Sequence, residues 1–230
     1  MEVGAKTDKG KVREQNEDTF GYRETLFVIA DGMGGHQAGE VASAIAVETV
    51  LAAEIDADLV VSLQRAVLNA NTAILEEMSK NEDFSGMGTT VAILLLSADK
   101  AFVSHVGDSR IYQLTEGNLI QLTDDHSFVA ELIKNGSITE EEAKIHPQRN
   151  VLTRALGTQG RLEFEVNCFQ IHTGDKFLLC SDGLTSIVAE KNIKEILMSE
   201  KEPQAIADHL VEQANKDGGT DNITVIVIEV

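Results

Sequence analysis

Short apolar runs along the chain predict β-strands. The runs are rich in β-branched residues and bounded by Gly or Asp, which is typical of strands. Five clear runs lie at residues 25–30, 91–96, 101–106, 176–180 and 223–230, and two shorter candidates lie at 110–114 and 118–122. We therefore expect a core with a large sheet component.

Apolar residues at helical spacing predict two amphipathic helices in succession. The spacing of threes and fours extends over residues 38–54 and more clearly over 58–80. The polar segment 126–145 also favours helix, because Thr139 and Glu142 have the spacing of a capping box. The sequence thus predicts helical segments before and after the strands at residues 91–122 along the chain.

Two further helices are expected at residues 190–199 and 203–216, before the last strand. Strands follow strands and helices come in pairs, without the regular alternation that a parallel sheet requires. The predicted fold class is therefore α+β. Since the chain has no internal repeat and no Pro-rich linker, we expect a single domain over residues 1–230.

The charge of the chain restricts its partners. It has 38 acidic and 19 basic residues and a formal net charge of −19. Nucleic acid and anionic membranes require an excess of Lys and Arg, so the composition argues against both. Bound divalent cations could neutralise part of the acidity, because carboxylates are the ligands that hard cations prefer.

The two cysteines and the N-terminus bear on the compartment. Cys168 and Cys180 each lie inside an apolar run, which predicts buried reduced thiols rather than a disulfide framework. The N-terminus lacks the apolar core of a signal peptide, and no stretch approaches the ~18 uninterrupted apolar residues of a membrane helix. We expect a soluble, cytoplasmic monomer without a membrane segment in this chain.

Five aspartates share a position at or beside the end of an apolar run, next to Gly, Ser or Asn. A single aspartate in such a place often only forms a turn or caps a helix. If the strands lie side by side, however, the carboxylates must share a small volume and could not all stay ionised. Divalent cations would resolve that conflict, and a set of oxygen ligands favours Mg²⁺ or Mn²⁺ over zinc. The five are Asp18, Asp31, Asp108, Asp182 and Asp221.

These aspartates lie within short motifs that occur in a recognisable order. The motifs are RxxNED at residues 13–18, DGMGG at 31–35, GTT at 88–90, VGDSR at 106–110, LTDDHS at 122–127, LTRALG at 152–157, SDGL at 181–184 and GGTDNITV at 218–225. Each motif is a weak signal, but the set in this order and spacing is a strong one. Through it the chain resembles the metal-dependent protein phosphatases of the type 2C family, in their bacterial branch.

The resemblance implies a four-layer α-β-β-α sandwich, in which two antiparallel sheets pack face to face and a pair of helices covers each outer face. It extends over the whole chain, as one catalytic domain. The metal site would lie in a cleft at one end of the sandwich. The segment at about 126–150 would form a mobile flap beside that cleft, and its polar, glycine-interrupted sequence is compatible with motion.

The resemblance also implies a set of metal ligands. Asp31 would bridge two ions, the backbone carbonyl of Gly32 would bind one of them, and Asp182 and Asp221 would complete the pair. Asp18 would bind through water. All five ligands are oxygen donors, in keeping with Mn²⁺ or Mg²⁺ as the cofactor.

A third, weaker ion is also implied, held by Asp108 and Asp182 and in some relatives by a backbone carbonyl near the position of Asn150. The chemistry implied is phosphate monoester hydrolysis. Two ions about 3.5 to 4 Å apart activate a water and stabilise the phosphate oxygens. That bridging water or hydroxide would attack phosphorus in line, without a phosphoenzyme.

Arg13 is the expected ligand of the substrate phosphate, because its planar fork can bind two oxygens at once. The alternative is an ordinary solvated arginine at the surface. The proton donor to the leaving group is less defined. Eukaryotic members of the family are thought to use a histidine where this chain has Met33, so His36 or a metal-bound water is expected to serve instead.

Other residues near the motifs have two interpretations each. His105 and His126 are possible general acids, although a structural role is favoured for both. Gly88–Thr90 is interpreted as close packing near the cleft rather than as a ligand. Three further polar residues could hold the neighbouring aspartates in place, or could only complete turns. They are Ser109, Arg110 and Asn222.

Other phosphatase classes fit the sequence poorly. A cysteine-dependent enzyme needs Arg six residues after its thiolate, whereas Gly174 follows Cys168 at that distance and Ser186 follows Cys180. The strings GDxHG and GNHE of the other metallophosphatases are absent. A non-catalytic relative that binds phosphorylated partners is the remaining alternative, and loss of metal-site aspartates would be its signature.

The sequence therefore favours a Mg²⁺/Mn²⁺-dependent phosphoserine/phosphothreonine phosphatase. Its partners would be phosphorylated proteins and a cognate bacterial Ser/Thr kinase, whose action it would oppose. No metal-site aspartate is lost, which favours an enzyme over a binding protein of the same fold.

Overall fold

The computed structural model describes residues 1–34, 38–199 and 202–230. The strands in these ranges are β1 (Glu2–Asp8), β2 (Asp18–Arg23), β3 (Leu26–Met33), β4 (Gly88–Thr89), β5 (Val91–Ser97), β6 (Lys100–Val106), β7 (Arg110–Thr115), β8 (Asn118–Gln121), β9 (Val166–Gln170), β10 (Lys176–Cys180) and β11 (Ile223–Glu229). The helices are α1 (Ala38–Ala52), α2 (Leu59–Lys80), α3 (Phe128–Lys134), α4 (Glu140–Lys144), α5 (Asp182–Thr185), α6 (Glu190–Leu197) and α7 (Pro203–Lys216), with a 3-10 turn at Glu82–Phe84.

The strands form two antiparallel sheets. The first sheet has the order β1-β11-β10-β7-β8, and the second has the order β2-β3-β5-β6-β9, with the short β4 paired to β3. Every pair in both sheets is antiparallel. The predicted α+β class is therefore confirmed.

Alternating side chains divide the core into layers. Along β3, Phe27 and Ile29 face the first sheet, while Leu26, Val28 and Ala30 face the helices, because successive residues of a strand point to opposite faces. The layer between the sheets also contains Leu94, Phe177, Leu179, Ile226 and Ile228. Helices α1 and α2 cover the outer face of the second sheet, and α6 and α7 cover that of the first. This confirms the four-layer sandwich.

The strands that the sequence did not predict are edge strands or very short. β1, β2 and β9 each form an edge of a sheet, and β4 has only two residues. An edge strand is partly exposed, so it lacks the continuous apolar run from which the inner strands were predicted. α5 was missed as well, because a single turn leaves no periodic pattern.

The predicted helices are confirmed with small changes at their ends. The segment 126–145 contains two short helices, α3 and α4, rather than one. The capping box at the start of α4 is present, since Thr139 Oγ1 accepts from Glu142 N at 3.2 Å and Glu142 Oε2 accepts from Thr139 N at 2.8 Å. In the described residues, no helix combines the length and apolarity that a membrane crossing requires.

One burial prediction was wrong. Cys180 is buried in β10, as expected, but Cys168 is exposed. The physical reason is that Cys168 lies on the edge strand β9, where only alternate residues such as Phe169 reach the core between the sheets. The apolar run around Cys168 therefore does not bury every residue within it.

Candidate active site

Asp18 and Asp31 are opposite each other in the register of β2 and β3. Asp18 opens β2, and Asp31 follows the buried run Leu26–Ala30 in β3. The backbone pairing therefore brings two carboxylates to the same end of the second sheet. The first sheet contributes its own aspartates there, because Asp182 lies two residues after the end of β10 and Asp221 two residues before the start of β11.

The Asp18 carboxylate connects the two sheets. Its Oδ2 accepts hydrogen bonds from Ser181 Oγ at 2.7 Å and from Thr224 Oγ1 at 2.6 Å, two residues of the first sheet's side of the molecule. Its other oxygen, Oδ1, is buried and has no hydrogen-bond partner among the residues that the structure describes. A buried carboxylate oxygen without a partner is costly, so this atom fits a site that takes a cation or a water.

Asp31 is held through its backbone by two threonines. Asp31 N donates to Thr90 Oγ1 at 2.9 Å, while Asp31 O accepts from Thr89 Oγ1 at 2.8 Å and from Thr90 N at 2.9 Å. Thr90 Oγ1 also bonds Ser109 Oγ at 2.7 Å. The two threonines of the GTT segment thus hold the backbone of Asp31 in place. The sequence had indicated only close packing for Gly88–Thr90, and it did not predict these hydrogen bonds.

Gly32 allows the start of α1 to approach the end of β3. A Cβ at Gly32 would lie 2.1 Å from Gly39 O and 2.6 Å from Glu17 O. Gly32 N donates to that same Glu17 oxygen at 3.1 Å. Position 32 therefore needs a glycine because a side chain would clash with the neighbouring backbone. This reason is independent of any metal bound by the Gly32 carbonyl.

The Asp221 carboxylate is bonded on both oxygens. Oδ1 accepts from the backbone N of Asn222 at 2.8 Å, and Oδ2 accepts from Arg13 Nη2 at 2.7 Å. The Arg13 side chain is half exposed, at 50%, in the loop between β1 and β2. Arg13 is therefore paired beside the aspartates rather than solvated alone.

Four of the aspartates, Asp18, Asp31, Asp108 and Asp182, have a raised pKa. Burial raises the pKa of Asp31 well above its ordinary value, and the charges of Asp18, Asp182, Asp108 and Asp221 raise it further. Burial is also the main reason why the pKa of Asp18 rises to about 7 and that of Asp108 to about 8. The bare cluster thus retains protons near neutral pH, which a bound divalent cation would displace.

The donor set fits a hard divalent cation, although the side chains do not yet surround one point. In the residues that the structure describes, no group of three His, Cys, Asp or Glu side chains is arranged to hold an ion as it stands. In this arrangement Asp221 is instead paired with Arg13. The ligands on offer are nevertheless carboxylate oxygens, which Mg²⁺ and Mn²⁺ prefer. One of them, Asp18 Oδ1, has no hydrogen-bond partner among the described residues.

The histidines near Asp108 have backbone partners. His126 Nδ1 accepts from Gly107 N at 3.2 Å, and His105 Nε2 bonds Asp124 O at 2.7 Å. The two rings stack at a centroid distance of 4.5 Å. Burial, with His105 and Arg154 nearby, lowers the pKa of His126 to about 4. These contacts favour the structural interpretation of both histidines, and His36 lies outside the described residues.

The residues expected to hold neighbouring aspartates do so only in part. Ser109 bonds Thr90 and through it supports Asp31. Arg110 does not bond Asp108 but forms a two-pronged pair with Asp125, at 2.9 and 2.7 Å. That pair joins β7 to the segment before the flap, a connection that sequence spacing could not reveal.

Known proteins are similar to this chain over most of its length. A family model described as protein phosphatase 2C matches residues 11–220. The serine/threonine phosphatase stp of Listeria monocytogenes is 39% identical over 241 residues, which cover 100% of this chain and 96% of the relative.

Solved structures are similar over nearly the whole chain. The crystal structure of the serine/threonine phosphatase PstP/Ppp of Mycobacterium tuberculosis has a TM-score of 0.93 at 40% identity, covering 99% of this chain and 97% of that one. A crystal structure of the catalytic domain of the serine/threonine protein phosphatase PstP in complex with two manganese ions has a TM-score of 0.91 at 38% identity, covering 99% and 96%.

Proposed function

The chain belongs to the protein phosphatase 2C family, and from that membership we propose that it hydrolyses phosphoserine and phosphothreonine in proteins with the help of divalent cations. The observation that carries the proposal is the convergence of five aspartates at one end of the sandwich. Titratable groups with strongly raised pKa values cluster at functional sites, which favours a catalytic role for these aspartates. The relatives named above are serine/threonine phosphatases, and one of them binds manganese.

The proposed ligands of two Mn²⁺ or Mg²⁺ ions are the side chains of Asp31, Asp182 and Asp221, the carbonyl of Gly32 and, through water, Asp18. A weaker third ion would be held by Asp108 and Asp182. When bound, such ions supply an activated water and neutralise charge on the phosphate oxygens. The partnerless buried oxygen of Asp18 supports this assignment.

Arg13 is proposed to bind the substrate phosphate. A cluster of carboxylates repels a phosphate dianion, so a positive group beside the cluster is needed. Arg13 is such a group, because its half-exposed side chain bonds Asp221 through one Nη2 donor. A guanidinium carries five donors in a fixed fork, so it can bind a phosphate while it stays beside the aspartates.

The proton that the serine or threonine leaving group requires is proposed to come from His36 or from a water molecule. Met33 occupies the end of β3 beside the cluster, and its thioether carries no proton to donate. His126 accepts at Nδ1 from Gly107 N, and burial, with His105 and Arg154 nearby, lowers its pKa to about 4, so the charged imidazolium that could act as an acid is scarce near neutral pH. His36 therefore stays the only histidine proposed for this step.

The proposed partners are phosphorylated proteins and a bacterial Ser/Thr kinase with opposing activity, and the proposed setting is the cytoplasm, with the chain as a monomer. The family membership supports phosphoprotein substrates. The high negative charge supports the exclusion of nucleic acid as a partner.

Phosphate release from a phosphothreonine peptide tests the proposed function. The protein is freed of metal with a chelator and assayed before and after addition of Mn²⁺, with a phosphotyrosine peptide as the substrate control. We expect turnover that needs Mn²⁺ and favours phosphothreonine. Peptide binding without any turnover would contradict the proposal and would favour the non-catalytic alternative.

A further inference from the structure

Asn222 is a buried residue next to the proposed metal ligand Asp221, yet its side chain points to a different part of the molecule. Only 5% of Asn222 is exposed. Its Oδ1 accepts from Glu17 N at 2.8 Å, and its Nδ2 donates to Gln15 O at 2.8 Å and to Lys9 O at 3.1 Å. All three partners are backbone groups of the loop between β1 and β2.

That loop carries Arg13, and Asn222 holds it on both sides. Lys9 precedes Arg13, whereas Gln15 and Glu17 follow it. A further bond from Lys11 N to Gly219 O, at 2.7 Å, attaches the same loop to the segment before β11. The loop is thus fastened to the segment that ends in Asp221 and Asn222.

Residues 11–15 are exposed, so their conformation is not fixed by burial. Ordering the backbone of an unsupported residue costs roughly 1–2 kcal/mol. A phosphate ligand on a free loop would bear that cost each time substrate binds, whereas a loop already held in place would not. The three bonds of one carboxamide supply the needed support.

We propose that Asn222 is a positioning residue that acts through Arg13: its carboxamide clamps residues 9–17 so that the guanidinium is held beside Asp221, ready for the substrate phosphate. The inference rests on the proposed function and adds a residue to it. Asn222 does not touch the substrate, and its backbone N bonds Asp221 whatever the side chain is. Truncation of the side chain therefore leaves that bond in place.

The amide is specifically required by this geometry. One end of the Asn222 side chain meets a backbone N–H, and the other end meets two carbonyls. Asn222→Asp would place a carboxylate oxygen against those two carbonyls and would add a charge beside Asp221. Asn222→Ala would remove all three bonds, and Asn222→Ser keeps a small polar group as a milder version of the same loss.

The test is a double-variant comparison of Asn222 with Arg13. We would measure kcat and KM for a phosphothreonine peptide with saturating Mn²⁺, and the affinity for inorganic phosphate by calorimetry. Arg13→Ala and Asn222→Ala should each weaken phosphate binding and raise KM about tenfold with little change in kcat, the pattern of a lost binding contact. The double variant should be no worse than Arg13→Ala alone, because residues that act as a unit are not additive.

Gln113→Ala is the matched control. Gln113 is also a buried amide, and its Nε2 donates to Asp175 Oδ2 at 2.7 Å and to Gln170 O at 3.0 Å, outside the aspartate cluster. It should lower the melting temperature while KM and phosphate affinity stay unchanged. If Asn222→Ala does not fold, by circular dichroism, Asn222→Ser is used in its place and the same comparison applies.

The outcomes separate this inference from the proposed function. Unchanged KM and phosphate affinity in Arg13→Ala would overturn the phosphate role of Arg13 and with it this inference. Two other outcomes would overturn the inference about Asn222 and leave the phosphate role of Arg13 intact. In the first, Arg13→Ala weakens phosphate binding but Asn222→Ala, like Gln113→Ala, leaves KM and phosphate affinity unchanged. In the second, the losses of phosphate affinity in the two single variants multiply in the double variant. Phosphate affinity is measured without turnover, so the role of Asn222 can be tested even if the protein does not hydrolyse the peptide.

Discussion

Asp18 and Asp31 face each other across the β2–β3 pair, and only Asp18 has side-chain donors from the other sheet. The pairing forces two carboxylates together before any ion is bound. The site is therefore destabilising in the metal-free protein, and this property can be measured.

The first prediction concerns pH. In the native state the pKa of Asp18 is about 7 and that of Asp108 about 8, whereas an unfolded aspartate titrates near ~4. Between these values the native state binds more protons than the unfolded state, so the free energy of unfolding must fall as the pH rises from about 4 to 8. Thermal melts in a chelator should therefore show a falling melting temperature over this window.

Asp31→Asn isolates the contribution of the cluster. Removing one charge should raise the melting temperature of the metal-free protein, and the difference from wild type should grow with pH as more of the carboxylates ionise. Asp83→Asn, in the exposed 3-10 turn, is the control and should show no such trend. A pH-independent difference, or a less stable Asp31→Asn, would contradict the account.

A second prediction concerns Thr90, which is 2% exposed and accepts from Asp31 N. Thr90→Val keeps the shape but leaves Asp31 N and Ser109 without this partner, which should cost about 1–3 kcal/mol of stability. Mn²⁺ affinity, measured by calorimetry, should fall about 10- to 100-fold, as for other residues that orient a ligand. Thr72→Val, which loses an exposed bond to Leu68 O, is the control. An unchanged Mn²⁺ affinity in Thr90→Val would refute this role.

A third prediction separates a packing clash from backbone strain. Gly32→Ala would bring a Cβ to 2.1 Å from Gly39 O, whereas Gly117→Ala has open space but a φ of +73°. We expect Gly117→Ala to cost about 1–2 kcal/mol and Gly32→Ala to cost more than about 3 kcal/mol in urea unfolding, because backbone cannot yield as a side chain does. Equal costs would show that α1 can move away from β3 without loss.

The sequence was sufficient to predict the inner strands and the aspartates at their ends. β3 is an example, because its buried run and the following Asp31 are both visible in the residue pattern. Three of the four edge strands, β1, β2 and β9, were missed because many of their residues are partly or fully exposed. The exposure of Cys168 has the same origin, because a residue pattern does not show which strand of a sheet has no neighbour.

The supporting contacts of the site could not be predicted, because they join residues far apart in the chain. Arg110 pairs with Asp125 rather than with Asp108, and Asn222 holds the loop of Arg13 rather than Asp221. Arg110 and Asn222 lie in two of the sequence motifs, so the sequence indicated that they could support the site. Their partners depend on which strands pair, β7 with β8 and β1 with β11, which only the structure shows.

The most direct measurement is the rate of phosphate release from a phosphothreonine peptide, in chelator and in saturating Mn²⁺, for wild type and Asp31→Asn side by side. The account predicts that wild type needs Mn²⁺ for turnover and that Asp31→Asn, although folded and more stable without metal, loses more than about 100-fold in rate. Turnover of the wild type that is indifferent to Mn²⁺, or full turnover by Asp31→Asn, would contradict it.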